Sequence, residues 1–150
     1  MAERKLRVFL DSNIFISGLF SEKGAPRLIL DILSLGLPPL VAVTGAYNIV
    51  EIERNLQAKL PEALPVFQSI LSAINPDIVP LPSSKDLRPW FGITADKDLP
   101  VLVSAIQAKA DILVTGDKKD LLTLRNADLP SIIASPVEFL DEILPRFLKG

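Results

Sequence analysis

An α/β protein, with a parallel sheet covered by helices on both faces, is what this sequence predicts. Three observations carry that expectation. Short apolar runs of strand length alternate with stretches whose apolar residues recur at helical spacing. That alternation is the pattern of successive βαβ units. Hydrophobic residues make up 49% of 150 positions, enough to core one domain. No repeat, low-complexity tract or linker divides the chain, so a single domain over residues 1–150 is expected.

Leu6–Leu10 reads as a short buried strand, and Asn13–Phe20 as a short helix with apolar residues at 14, 15, 16, 19 and 20. "SEKGAP" is a turn that sets Pro26 at the first position of another helix. Leu28, Ile29, Ile32, Leu33 and Leu35 form its face, and Gly36 with Pro38–Pro39 stops it. Leu40–Val43 is a second strand. Thr44 is placed to cap the next helix, which presents Tyr47, Val50 and Leu56 and ends at Pro61. Val66, Phe67, Ile70, Leu71 and Ile74 mark a further helix, and Asp77–Leu81 a strand weakened by Pro80. Residues 82–98 lack periodicity and read as the longest loop. Leu99–Ala110 is helical, Asp111–Thr115 a fourth strand, and 118–124 a short helix or turn. Ser131–Ala134 is the last strand. "SPVE" at 135–138 then forms a capping box before a helix presenting Phe139, Leu140, Ile143, Leu144 and Phe147.

Composition excludes several chemistries. There are no cysteines and no histidines. Disulfides, thiolate or imidazole zinc sites, and Ser-His-Asp or Cys-His catalysis are therefore ruled out. Chemistry near neutral pH must come from carboxylates, hydroxyls, amines or a bound hard cation such as Mg²⁺ or Mn²⁺. The net charge of −2 gives no general basic surface. No apolar run reaches the roughly 20 residues of a membrane span, and "MAERKLRVFL" lacks the form of a signal peptide. A cytoplasmic location is the expectation.

The acids sit where such folds bind ligands, beyond the carboxyl ends of the strands. Asp11 follows the first strand and Asp117 follows "ILVTG". Asp98 opens a helix, and Glu51 lies early in the helix after the second strand. Each has a plain alternative. Asp11 and Asp98 could cap helices, Asp117 could serve a turn, and Glu51 beside Glu53 could be a solvated helix acid. Brought together, they would repel. Two charges about 4 Å apart cost on the order of 4 kcal/mol at an effective dielectric near 20. Such a cluster raises its own pKa values or binds a cation. Oxygen-coordinated Mg²⁺ or Mn²⁺ is the natural partner, and it suits phosphodiester hydrolysis.

"FLDSNIFISGL", "NIVEIERNL" at 48–56 and "DLPVLVSAIQAKADILVTGDKKDLL" at 98–122 together resemble the PIN domain. More closely, they look like its prokaryotic subgroup described as toxin components of toxin–antitoxin systems. The likeness runs through nearly the whole chain to "IIASPVEFL". It implies a three-layer α/β/α sandwich with a central, mostly parallel sheet and metal-dependent cleavage of RNA. Residue by residue, the family's acids match Asp11, Glu51, Asp98 and Asp117. Glu53 and Asp96 are the competing assignments, and Asp120 offers an outer contact. Asn13 matches the polar neighbour of the first acid, and Thr115 a hydroxyl beside the last.

By that resemblance Asp11, Asp98 and Asp117 would hold the metal, and Glu51 would bind a second ion or orient water. Lys97, Lys118 and Lys119 would draw in phosphate, or are solvated loop charges. Trp90 and Phe91 would stack on an unpaired base, or anchor the loop to the core or to a dimer contact. The partners implied are RNA, a small antitoxin protein and a second copy of the chain, with Leu35, Leu37 and Phe147 as exposed apolar candidates for a homodimer. No membrane partner is expected. A phosphatase would want an aspartate where Asn13 stands, a receiver would want paired acids and a late strand-end lysine, and no dinucleotide or P-loop motif is present. The remaining alternative is a binding or scaffold module that keeps the fold without nuclease activity.

Overall fold

The computed structural model describes residues 4–149. The first three residues of the segment read as an N-terminus without a signal peptide lie outside them. Strands β1 (Leu6–Leu10), β2 (Leu40–Gly45), β3 (Asp77–Val79), β4 (Ile112–Val114) and β5 (Ile132–Ala134) form one sheet in the order β3-β2-β1-β4-β5. Every neighbouring pair is parallel. The chain runs outward from β1 to β3, then returns past β1 to β4 and β5. A parallel crossover is right-handed in almost all cases. The reversal of direction therefore sends later connections to the opposite face of the sheet.

Helices α1 (Ser12–Phe20) and α2 (Ala25–Ser34) link β1 to β2, and α3 (Ala46–Lys59) and α4 (Leu64–Ile74) link β2 to β3. Short α5 (Ser84–Leu87) and longer α6 (Leu99–Gln107) precede β4, and α7 (Pro136–Glu138) and α8 (Leu144–Lys149) follow β5. Side chains alternate along β1. Val8 and Leu10 face a core with Ile14, Phe15, Ile29, Ile52, Leu56 and Phe67. Phe9 faces the other core with Val101, Leu102, Ala105 and Leu121. Two cores on one sheet make three layers, the α/β/α sandwich expected. Burial on both faces also explains why β4 and most of β1 and β2 read as apolar runs, while the edge strand β3 stays exposed.

Several local expectations need correction. Thr44 does not cap α3. It belongs to β2, and its hydroxyl donates to the Leu10 carbonyl at 3.0 Å. The helix starts after Gly45 with no side-chain cap, and its buried row is Asn48, Ile52 and Leu56 rather than Tyr47, Val50 and Leu56. β3 stops at Val79, because Pro80 has no N–H for the ladder. Residues 82–98 are not plain loop, since a Ser83–Asp86 capping box starts α5 and a 3₁₀ turn covers Arg88–Trp90. Phe147 is not exposed but packs against the core under the Arg4 guanidinium. Leu35 and Leu37 are exposed as expected.

Candidate functional site

The sheet's order reverses between β1 and β4, and ligands of open α/β sheets bind in the crevice at such a switch point. Asp11 continues β1, its N–H donating to the Val114 carbonyl at 3.0 Å. Asp117 lies three residues beyond β4. Between them opens a cleft of about 340 Å³, lined among others by Asp11, Asn13, Glu51, Asn55, Lys97, Asp98 and Asp117.

Asp11 is only 5% exposed. Its Oδ1 accepts from the Ser12 N–H at 2.7 Å and from Asn48 Nδ2 at 3.2 Å. Its Oδ2 accepts from Thr115 Oγ1 at 2.7 Å and from Asn13 Nδ2 at 3.3 Å. Burial is the strongest influence on its charge and pushes the carboxyl up to about 6. The bonds from Thr115 and Ser12 oppose that shift, and the charges of Glu51 and Asp117 add to it. Thr115 also accepts from the Asp117 N–H at 3.0 Å, and Asn13 Oδ1 accepts from the Gly116 N–H at 2.9 Å. These two side chains tie the segment after β4 to the segment after β1.

Asp98, Asp117 and Asp120 each place an oxygen within 4.8 Å of the others. Asp98 is pushed up to about 7, first by burial, then by the hydrogen bond and charge of Asp117. Burial also works against the Asp117 charge. The Asp120 N–H, the bond with Asp98 and the Lys97 ammonium outweigh it, so Asp117 lies below the usual carboxylate range. Of the two, Asp98 is the one that takes up a proton more readily. Among the described residues, the buried Asp98 Oδ2 has no hydrogen-bond partner. Lys97 Nζ stands 3.6 Å from that oxygen and 3.7 Å from Asp120 Oδ2, on a side chain 70% exposed. Among the described residues, no other basic side chain pairs with the cleft acids. One loosely held ammonium does not neutralise the group.

The sequence profile of the PIN domain matches residues 7–119.

The chain belongs to the PIN domain family.

Two relatives accompany that match. Uncharacterized protein MJ1680 of Methanocaldococcus jannaschii is 25% identical over 158 aligned positions, covering 95% of this chain and 94% of its own length. A chain in the crystal structure of VapBC2 from Rickettsia felis bound to a DNA fragment from their promoter superposes with a TM-score of 0.63 at 19% identity. That match covers 87% of this chain and 98% of the other, and it shows a shared fold. PIN domains are in general nucleases that use divalent metals.

Within this PIN domain the predicted acids Asp11, Glu51, Asp98 and Asp117 all line one cleft. Of the competing acids, Glu53 does not line it, and Asp96 lines a separate hollow with Leu87, Phe91, Leu99 and Pro100. Asp120, read as an outer contact, belongs to the tightest carboxylate group. Asp11 does bond the first N–H of α1, so the capping alternative and the cleft position hold together. Asp98 makes no capping bond to α6. Lys118 and Lys119 are exposed and do not line the cleft, nor do Trp90 and Phe91.

Asn48 was missed. It is fully buried, and its amide bridges Asp11 Oδ1 and Ser12 Oγ, the latter at 2.9 Å. The only signal was a polar residue in an apolar row with Ile52 and Leu56. The ligating atoms are all oxygen, and among the described residues the buried Asp98 Oδ2 accepts no hydrogen bond and has only the exposed Lys97 ammonium near it. Both features fit a hard divalent cation.

Proposed function

We propose that this chain, as one PIN domain over residues 1–150, is a Mg²⁺- or Mn²⁺-dependent endoribonuclease that hydrolyses RNA phosphodiester bonds. We further propose that it acts in the cytoplasm as the toxin of a toxin–antitoxin pair. The observation that carries the reading is the gathering of Asp98, Asp117 and Asp120 around one exposed ammonium, that of Lys97, in a cleft that Asp11 and Glu51 also line. Such a group is costly without a cation.

Asp98 and Asp117, with Asp120 close by, would hold the metal from one wall, and Asp11 from the other. Glu51, on the exposed rim, would bind a second ion or orient the attacking water. When bound, a divalent cation supplies charge for the phosphoryl oxygens and lowers the pKa of water. Asn13, Thr115 and Asn48 fix the Asp11 carboxylate through its two oxygens. Lys97 is free enough at 70% exposure to turn from the acids toward an entering phosphate.

The likeness to a VapBC2 chain supports the toxin part of the proposal. An antitoxin protein and a second copy of the chain are the proposed partners. Exposed Leu35 and Leu37 offer apolar surface for one of them.

Purified protein should cleave single-stranded RNA with Mg²⁺ or Mn²⁺ and not with EDTA. Asp98→Asn and Asp11→Asn should each reduce cleavage to background. Cleavage that survives both substitutions would sink the proposal.

A further inference from the structure

Beside the acid cleft lies a second groove of about 280 Å³, walled by Tyr47, Val50, Arg54 and Leu81. We propose that it seats the unpaired base of the nucleotide next to the phosphate held in the acid cleft. The inference rests on the ribonuclease reading and names how its substrate is gripped.

The two hollows share Glu51, so one strand can occupy both. Val50 and Leu81 are large apolar side chains left 47% and 60% exposed, and they form a greasy wall where solvent would otherwise sit. Tyr47 packs partly on the second core, and its hydroxyl donates to the Lys97 carbonyl at 3.3 Å. The ring is therefore held in place at the edge of the groove, and an ordered aromatic is what base stacking needs. Among the described residues Arg54 makes no ion pair. It is an available cation lining the groove and would attract a backbone phosphate of a strand lying there. Glu51, which serves the second ion or the attacking water, closes the groove on the side of the acid cleft. Apolar wall, aromatic edge and cation together suit one unpaired nucleotide. The small volume admits a single base, and a paired base is stacked on both sides and cannot enter.

The test uses a fluorescent single-stranded oligoribonucleotide in Ca²⁺, with binding read by anisotropy. A series carrying one abasic residue at each position in turn accompanies it. In the native chain one abasic position should weaken binding about tenfold. Leu81→Asp and Arg54→Ala, both surface changes, should weaken the intact oligonucleotide by a similar factor and become indifferent to that abasic residue. In Mn²⁺ they should raise KM for cleavage while Tm and Mn²⁺ affinity stay at native values. The proposal is overturned if both variants bind like the native chain or keep its abasic sensitivity. It is equally overturned if Leu81→Asp spares RNA binding and instead alters self-association in light scattering. Should the native chain neither bind nor cleave RNA, the ribonuclease reading fails first and the groove with it.

Discussion

Asp11 accepts four hydrogen bonds, yet its carboxyl rises from 3.8 to about 6. Donors favour the charged form, but burial disfavours it more. In the unfolded chain the group ionises near 3.8, and in the fold near 6. Between those values the folded state binds the extra proton, so stability falls as pH rises through the window and levels above it. The shift corresponds to about 3 kcal/mol. Asp86, Asp117 and Glu138 are shifted the other way and slope oppositely, so a difference is the cleaner measurement. Urea unfolding of the native chain and of Asp11→Asn, in metal-free buffer from pH 4 to 7, should show the native advantage shrinking by about that amount. A flat difference would mean that Asp11 is not shifted. Thr115→Val removes the 2.7 Å bond to Asp11 and the acceptor for the Asp117 N–H. It should cost roughly 1–3 kcal/mol and move the pH window upward. At this scale the sequence was legible for acids next to strand ends. It was silent on Asn48, because a lone asparagine in a helix is ordinarily a solvated residue, and only tertiary packing shows that its amide reaches Asp11.

The junction of β2 and α3 joins local structure to the site. Thr44 looked like a cap because threonine before a helix often is one. The strand simply runs two residues further than the apolar pattern, and the Thr44 hydroxyl serves the neighbouring strand instead. Gly45 then starts the helix without a side chain, and its reason is steric. A Cβ there would lie 2.9 Å from Asn48 Oδ1 and 3.2 Å from Ser104 Oγ. Gly45→Ala should therefore push the Asn48 amide off Asp11 and cost about 1–3 kcal/mol. It should also weaken Mn²⁺ binding, measured by calorimetry, although no carboxylate is touched. Unchanged Mn²⁺ affinity would show that Asn48 does not hold Asp11 in its binding position. The segment 82–98 was illegible for a different reason. A single-turn helix such as α5 shows no periodicity, and its capping box alone marks it.

Across the whole molecule, the layers were readable because strands buried on two faces must be apolar throughout and helices must be amphipathic. The strand order was not readable, since any permutation of the same runs has the same pattern. That order places Asp11 and Asp117 side by side at the switch point. Convergence of acids from positions 11 to 120 is thus a property of topology, visible only in three dimensions. It carries one global consequence. A cation that binds the folded state alone adds about 2.7 kcal/mol at a hundredfold excess over its Kd, which for a chain of this size raises Tm by roughly 5–10 °C. Protons compete for the same oxygens. With Asp11 near 6 and Asp98 near 7, both carboxyls are largely protonated at pH 5.5 and ionised at pH 8. A given Mn²⁺ concentration should therefore raise Tm more at pH 8 than at pH 5.5. Asp98→Asn should lose most of that rise while starting from a higher metal-free Tm at pH 8, because the repulsion with Asp117 is gone. Scanning calorimetry of both chains at the two pH values decides it. Equal Mn²⁺ shifts at both, or a full shift retained in Asp98→Asn, would place the cation away from the carboxylates gathered at the switch point.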